Sequence, residues 1–129
     1  MYNSWPSGSD MKKEDLQNRT KIFAINVIKL TKLMPRTREA DIIARQIIRS
    51  ATSVAANYRA ACRGRSKLEF IAKLGTVVEE ADETKFWLEM IHDALNFEHA
   101  NLSNLMDESN QLIAIMVASR KSASGIHKS

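Results

Sequence analysis

Four cationic side chains surround a single glycine in the segment NYRAACRGRSKLEF, residues 57–70. They belong to Arg59, Arg63, Arg65 and Lys67. Cations that share one surface can bind the phosphates of RNA or DNA without reading the base sequence. The segment therefore predicts a nucleic-acid-binding site. The alternative is that these side chains are solvated charges at the end of a pair of helices.

Two of the four cations, Arg59 and Arg63, also have a structural role. They lie in the last turns of a predicted helix, where the helix dipole favours positive charge. Gly64 is expected to end that helix in the left-handed backbone conformation. Ser66 and Glu69 then form a capping box, in which the serine binds the amide of Glu69 and the glutamate binds the amide of Ser66. The nucleic-acid hypothesis therefore depends mainly on Arg65 and Lys67. Arg63 and the repetition of these residues in an oligomer would strengthen the site.

Residues that could support catalysis do not occur in the combinations that catalysis requires. Three histidines are present, His92, His99 and His127, but no two lie at i, i+4 with a third ligand nearby, as a zinc site requires. His92 falls near the apolar positions of its helix, and we expect it in the core. Cys62 has no histidine close to it in sequence, the acids lack the Glu-x-x-His pairs of a di-iron site, and no glycine-rich phosphate loop occurs. We therefore expect no enzymatic activity, no metal ion and no cofactor.

The composition is that of one soluble helical domain. The chain has 129 residues, of which 44% are hydrophobic and 26% are charged, with four glycines and two prolines. This is enough for one core and leaves few turn formers for strands. A single cysteine precludes an internal disulfide and fits a cytoplasmic protein. No segment resembles a signal peptide or a membrane span, so we expect neither secretion nor membrane contact.

The charges are segregated along the chain. The net charge is +4. Residues 36–73 contain nine Lys and Arg against three acids, whereas residues 79–108 contain one Lys against nine acids. Blocks of opposite sign can attract each other within one subunit or between subunits. The excess of positive charge is therefore weak evidence for nucleic-acid binding by itself.

Apolar residues recur at helical spacing in four segments. We predict helices at about residues 12–34, 38–63, 67–96 and 103–120, with Pro35 ending the first and with Thr37 and Ser103 capping the second and fourth. Residues 1–10 and 121–129 are predicted to be flexible tails. Because short connections make consecutive helices antiparallel, the fold class is all-α, an up-down-up-down antiparallel four-helix bundle over residues 11–120.

The turn at Gly64 also predicts which charges face each other across the second and third helices. In an antiparallel hairpin that turns there, Arg49 is level with Glu79, and Arg45 is level with Glu83. We expect these pairs to neutralise each other, within the hairpin or between subunits.

The third predicted helix has apolar residues on two sides. Phe86 and Met90, together with Ala72 and flanked by Trp87, lie roughly opposite the apolar positions that would face the core. Large apolar side chains grouped on an exposed face are typical of an interaction surface, so we expect self-association through these residues. The alternative is a long helix that is covered by the tails.

The segment RSATSVAANYRAACRGRSKLEFIAKLGTVVEEADETKFWLEM, residues 49–90, resembles the four-helix-bundle proteins encoded by intervening sequences in bacterial 23S rRNA genes. The matching residues lie on either side of the turn: Ser53, Val54, Asn57, Arg65, Ser66, Glu69, Phe70 and Leu74, followed by the acidic run EEADET. The resemblance covers the second and third helices, and the outer helices match by pattern.

What the resemblance implies is a small bundle that assembles into a homopentameric ring and has no known enzymatic activity. A similar protein is the accessory protein of diversity-generating retroelements, a basic pentameric barrel that binds nucleic acid and a reverse transcriptase. This chain departs from the family at Tyr58, Arg59, Ala60 and Ala61, since many members have an acidic residue and a glycine there. The departure makes the end of the second helix more basic.

Together these observations predict a non-enzymatic homo-oligomer, a pentamer by resemblance, that binds RNA or DNA non-specifically through a basic rim. The alternative is a scaffold that docks a partner protein through apolar and acidic helix faces. The expected partners are further copies of the chain, and RNA, DNA or that protein, with no membrane.

Overall fold

The computed structural model describes residues 13–125. This part of the chain forms four helices and no strand: α1 (Lys13–Thr31), α2 (Arg38–Cys62), α3 (Lys67–Leu95) and α4 (Ala100–Ser124). The predicted all-α class is confirmed. The tail predicted at residues 1–10 lies outside the described residues.

Proline and a threonine cap separate α1 from α2. Pro35 pushes the residue before it out of helical geometry, and α1 ends at Thr31, three residues earlier than predicted. The last residues before the proline form a tighter turn, in which the Met34 amide donates to the Thr31 carbonyl at 3.3 Å. The Thr37 hydroxyl accepts from the Ala40 amide at 3.1 Å, which confirms the predicted cap of α2.

The fourth helix is longer than predicted at both ends. It begins at Ala100, because the ring of His99 caps it: Nδ1 accepts from the Asn101 amide at 3.0 Å. Ser103, the predicted cap, lies inside the helix. The helix continues to Ser124 and ends at Gly125, whose left-handed φ of 78° closes the last turn. Residues 121–124 are therefore helical rather than part of a tail.

Consecutive helices pack against each other, and α4 also contacts α1. The start of α3 contacts both α1 and α4: the Lys13 ammonium at the start of α1 lies 4.2 Å from the ring of Phe70, and Arg120 near the end of α4 donates to the Ile71 carbonyl at 3.2 Å. A paired contact between Arg19 and Glu108, at 2.7 and 2.8 Å, joins α1 to α4. These contacts are consistent with a four-helix bundle.

The core is filled by the apolar stripes of all four helices. One cluster surrounds side chains that include Phe23, Ile47, Leu88 and Leu112, and a second surrounds Leu16, Tyr58, Leu74 and Met116. All of these side chains are buried. Burial of this apolar area provides the main stabilising free energy of the bundle.

Two buried hydroxyl groups join α2 to α3 inside this core. The oxygens of Ser50 and Thr84 lie 2.9 Å apart, and both residues are fully buried. Each hydroxyl also lies near a backbone carbonyl of its own helix, Ser50 near that of Ile47 at 3.2 Å and Thr84 near that of Glu80 at 2.8 Å. The hydrogen bond between the two hydroxyls forms only where Ser50 and Thr84 are level, so the contact favours one register of the two helices.

The same register places Arg49 beside Glu80 and Glu83. Its guanidinium is 3.3 Å from the Glu80 carboxylate and also pairs with Glu83. The expected pairing of Arg49 with Glu79 is therefore wrong by one position. The expected pairing of Arg45 with Glu83 is also wrong, because Arg45 pairs within its own helix with the carboxylate one turn earlier, at 2.9 Å.

Replacement of Ser50 by alanine or of Thr84 by valine should each lower the free energy of unfolding by about 1 kcal/mol, because each change removes a buried hydrogen bond. The double variant should lose less than the sum, since both changes remove the same contact. Urea unfolding followed by circular dichroism measures the three losses. Thr52→Val is the matched control, because Thr52 is exposed and its hydroxyl bonds within its own helix. Additive losses would show that the two hydroxyls do not interact.

Candidate nucleic-acid interface

The four predicted cations lie where α2 ends and α3 begins, at what we call the basic end of the bundle. The turn is held by its own hydrogen bonds. The amides of Arg63 and Gly64 donate to the carbonyls of Ala60 and Ala61 at 3.1 and 3.0 Å. Each bond spans three residues, which tightens the last turn of α2. The backbone that carries the cations is therefore ordered.

Of the two hydrogen bonds predicted for the capping box at the start of α3, one is confirmed. The Ser66 hydroxyl accepts from the Glu69 amide at 3.1 Å, as predicted. The Glu69 carboxylate accepts from the Arg65 amide at 2.8 Å, whereas the prediction assigned it to the amide of Ser66. The carboxylate thus reaches one residue further back along the chain. Glu69 binds backbone here, and it forms no ion pair with a described cation.

Close packing, and not a left-handed backbone conformation, explains the glycine at position 64. Its φ is not in the left-handed region, which among the described residues is occupied by Asn96 and Gly125. A Cβ at Gly64 would lie 3.1 Å from the Ala61 carbonyl oxygen and 3.3 Å from the Glu69 Cβ. The prediction of a left-handed C′ residue is wrong. Glycine is favoured here because the first turn of α3 approaches the backbone closely.

All four cations of the basic end are exposed, namely Arg59, Arg63, Arg65 and Lys67. Their side chains have no hydrogen bond or ion pair with another described residue. Two arginines elsewhere are paired with glutamates, Arg19 with Glu108 and Arg49 with two of them. In these two cases a hydrogen bond to the carboxylate raises the pKa of the guanidinium. The cations that the sequence singled out are therefore available for a ligand, as the exposed Arg36 also is.

Other cations reach the basic end but have contacts there. The Lys13 ammonium stacks on Phe70, and burial lowers its pKa. The Arg120 guanidinium lies across Gly75, where a Cβ would be 3.2 Å from Nη2, and it binds the Ile71 carbonyl. Lys12 and Lys128, which the sequence also places at this end, lie outside the described residues.

A second basic cluster lies at the opposite end of the bundle, and the sequence analysis did not identify it. Lys32, Arg36 and Arg38 line a cleft of about 900 Å³ at the turn between α1 and α2. The run KLMPRTR was a visible signal for it. Acids around the α3–α4 connection lie at the same end and line a second cleft of about 910 Å³: Glu89 and Asp93 of α3, Glu98 of the connection and Asp107 of α4. The cations of this end therefore have acidic neighbours in the same molecule, which offset their attraction for phosphate.

The thiol of Cys62 is not activated for nucleophilic chemistry. Burial raises its pKa, and contacts with Tyr58, Lys13 and Gln17 oppose that rise only in part. A thiol that keeps its proton is a poor nucleophile. Burial also raises the pKa of Tyr58.

The histidines do not form a metal site in the described part of the chain. His92 is 53% exposed, so the expectation that it lies in the core is wrong. Its Nδ1 lies 2.8 Å from the Asp93 carboxylate, and that hydrogen bond raises the pKa of His92. His99 uses Nδ1 to cap α4. Over residues 13–125, no three His, Cys, Asp or Glu side chains are grouped as a metal ion requires.

The residues predicted to mediate self-association are divided between surface and core. Phe86 is 48% exposed and Ala72 is exposed about 21 Å away along α3. Trp87 and Met90 are half-buried and pack against the core. The Trp87 indole N–H donates to Glu83 at 3.1 Å, and its ring meets that of Phe86 edge to face at 4.9 Å. Phe86 is therefore the member of this set that presents a large apolar surface to solvent.

Comparison with known proteins gives one family and one fold. The family model of the 23S rRNA-intervening sequence protein matches residues 12–118. Among solved structures, a protein of unknown function from the S23 ribosomal protein family of Bacteroides thetaiotaomicron is 27% identical, with a TM-score of 0.77, and the match covers 86% of this chain and 99% of that one. No curated protein matches the chain. Along α1 to α4, no helix is both long and apolar enough to cross a membrane.

Alkylation of Cys62 with iodoacetamide should be slow, and its rate should rise with pH through a midpoint above that of an ordinary thiol, because burial raises the pKa. The same chain unfolded in urea is the control, and its midpoint should be lower. A folded-state midpoint below the unfolded one would contradict this account and would indicate an activated thiol.

Proposed function

The chain belongs to the 23S rRNA-intervening sequence protein family, and on that premise we propose that it is a non-enzymatic homo-oligomer that contacts the phosphates of RNA or DNA through its basic end. The oligomer is a pentamer, as the family resemblance implies, and its location is the cytoplasm. The observation that carries the nucleic-acid contact is the set of exposed cations at the α2–α3 turn whose side chains have no ion pair with a described residue.

The charge balance of the basic end supports this choice over the opposite end. Glu69, the acid closest to the cations, is bound to the Arg65 amide, and the nearby acids of α1 are Glu14 and Asp15. The net potential at this end therefore favours an anion. Arg65 and Lys67 matter most because folding gives their side chains no other role. Contacts of this kind position a phosphate backbone and do not select a base sequence.

Assembly into an oligomer would strengthen the weak phosphate binding of each single subunit. Each subunit offers a small number of cations, and a single subunit would bind phosphate weakly at physiological salt. In a ring, the same turn is repeated at one rim, so that a strand bound to one subunit meets the next at a high local concentration. Nucleic-acid binding by this protein therefore depends on its oligomeric state.

A second candidate function is docking of a partner protein on α3. Phe86 is a large apolar side chain that is 48% exposed, and Glu79 and Asp82 lie exposed on the same helix. Neither acid has an ion pair among the described residues. An exposed aromatic side chain with neighbouring acids suits a partner that has an apolar cleft with a basic edge.

Replacement of Arg65 and Lys67 by alanine should weaken binding of a labelled single-stranded RNA and should lower the slope of log K against log salt by about 1.4 for each subunit that contacts the strand, because each lost phosphate contact to a single strand removes about 0.7. The matched control is Lys32→Ala with Arg36→Ala, which removes one lysine and one arginine at the opposite end. Fluorescence anisotropy across a salt series measures the affinity and the slope for each variant.

Two results would contradict the nucleic-acid proposal. One is no binding of the unmodified protein to RNA or DNA at low salt. The other is an equal loss of slope in the control variant, which would show that the basic end is not the site. In either case docking of a protein becomes the better explanation.

Native mass spectrometry of the full chain should give five times the subunit mass, because the resemblance implies a pentameric ring. Dilution should release monomers without a stable dimer, since a ring of identical head-to-tail contacts loses closure once one contact opens. A monomer at high concentration would contradict the proposed oligomer.

A further inference from the structure

The outward face of α3 carries acids on both sides of Phe86. The five residues lie three and four positions apart, which places them on one straight face of the helix: Glu79, Asp82, Phe86, Glu89 and Asp93. Asp82 and Glu89 are one turn from the ring, at about 6 and 4.5 Å along the axis. We call this set the acidic stripe.

Most carboxylates of the acidic stripe have no cationic partner within the described chain. Glu79, Asp82 and Glu89 have no ion pair there, and Asp93 binds the exposed His92. The two glutamates of α3 that do pair, with Arg49, lie on the side of the helix that faces α2. Like charges on successive turns repel each other. A cationic partner would remove that repulsion and would cover the phenylalanine.

A cleft of matching character lies between α1 and α2 near the basic end. Its volume is about 640 Å³, and its apolar surface comes from small and aliphatic residues: Ala24, Ile25, Ile28, Ala55 and Ala56. Ile25 is 41% exposed. The cations of the cleft are Lys21, Arg59 and Arg63, and Glu14 is its one acid. We call this the α1–α2 cleft.

We propose that the acidic stripe of one copy docks into the α1–α2 cleft of a second copy, with Phe86 on the apolar surface around Ala56 and the acids paired with Lys21, Arg59 and Arg63. This inference rests on the proposed homo-oligomer and assigns the surfaces that form it. The occupant is a second copy because the two surfaces complement each other in both charge and apolar character.

The dimensions of the two surfaces agree. The acidic stripe is about 21 Å long, and the segment from Thr52 to Arg63 that lines the cleft is about 17 Å long. The small side chains Thr52 and Ala56 leave room above Ile25 and Ile28 for an aromatic ring. Arg59 and Arg63 lie within about two turns of Ala56, and the acids lie within two turns of Phe86. On α2 these cations lie on one side of Ala56, so the ring can engage together with the acids on one side of Phe86.

The contact is head to tail, because stripe and cleft are different surfaces of the same chain. Each copy uses its stripe on one neighbour and its cleft on another, which generates a ring when the rotation closes. Arg65 and Lys67 lie outside the cleft and stay available at the rim. Arg59 and Arg63, which the sequence assigned to nucleic acid, then hold the assembly together.

Reversal of charge on either surface should dissociate the assembly, and reversal on both should restore it. The stripe variant is Asp82→Lys with Glu89→Lys, and the cleft variant is Arg59→Glu with Arg63→Glu. Each should give monomers by native mass spectrometry at a concentration where the unmodified protein is oligomeric, because like charges then face each other. A chain with all four changes should recover the oligomer. Circular dichroism confirms that each variant is folded.

Truncation of the aromatic ring gives a second, independent readout. Phe86→Ala should raise the concentration at half assembly at least about tenfold, as for a buried aromatic anchor. Ile42→Ala is the matched control, because Ile42 is 54% exposed and lies outside the cleft and the stripe. The control should leave assembly unchanged.

The outcomes separate this inference from the proposed function. A monomeric unmodified protein overturns the oligomer and the interface together. An oligomer that survives Phe86→Ala and both charge reversals overturns the interface alone. An oligomer of unchanged mass in which Arg59→Glu with Arg63→Glu abolishes RNA binding also overturns the interface, and assigns the cleft arginines to nucleic acid.

Discussion

The register of α2 against α3 is the constraint on which the rest of the structure depends. The buried hydroxyls of Ser50 and Thr84 meet at 2.9 Å, and Arg49 bridges to two glutamates on the surface above them. A shift of either helix by one turn would break the hydrogen bond between these hydroxyls, at a cost of about 0.5–1.5 kcal/mol, and would separate Arg49 from its two glutamates. The register in turn determines which glutamates of α3 are neutralised by α2 and which remain exposed beside Phe86.

The unneutralised charges divide the surface into regions of opposite sign. Exposed cations lie along α2 and at the turn after it, and exposed acids lie along α3. Both helices are covered on their inner sides by the same core, so the charges on their outer sides pair within their own helix, as Arg45 does with Asp41, or reach across to the next helix, as Arg49 does. Several others have no ion pair within the described bundle. These surfaces are suited to recruit a second molecule, and the same arginines are candidates for two kinds of recruitment.

The fold was predictable from sequence because helical periodicity and short connections are local signals. The caps at Thr37 and Ser66 followed from residue type, and the exposure of the cations around Gly64 was expected from their position. Details that depend on tertiary approach were not predictable: Gly64 is required by the close first turn of α3. The cap of α4 is the ring of His99 and not the predicted Ser103. Which acids Arg49 binds depends on the reach of its side chain and not on a count of residues from the turn.

Disulfide trapping tests the central claim most directly, that Phe86 of one copy lies against Ala56 of the next. The variant for this test has the changes Ala56→Cys and Phe86→Cys, and Cys62→Ser removes the natural thiol. Within one chain the two sites are about 15 Å apart along the hairpin, too far for a disulfide. At a protein concentration high enough to offset the loss of the Phe86 ring, mild oxidation should therefore give a ladder of covalent multimers on a non-reducing gel, whereas each single cysteine should give none beyond a dimer. An intact oligomer that yields no ladder would contradict the account.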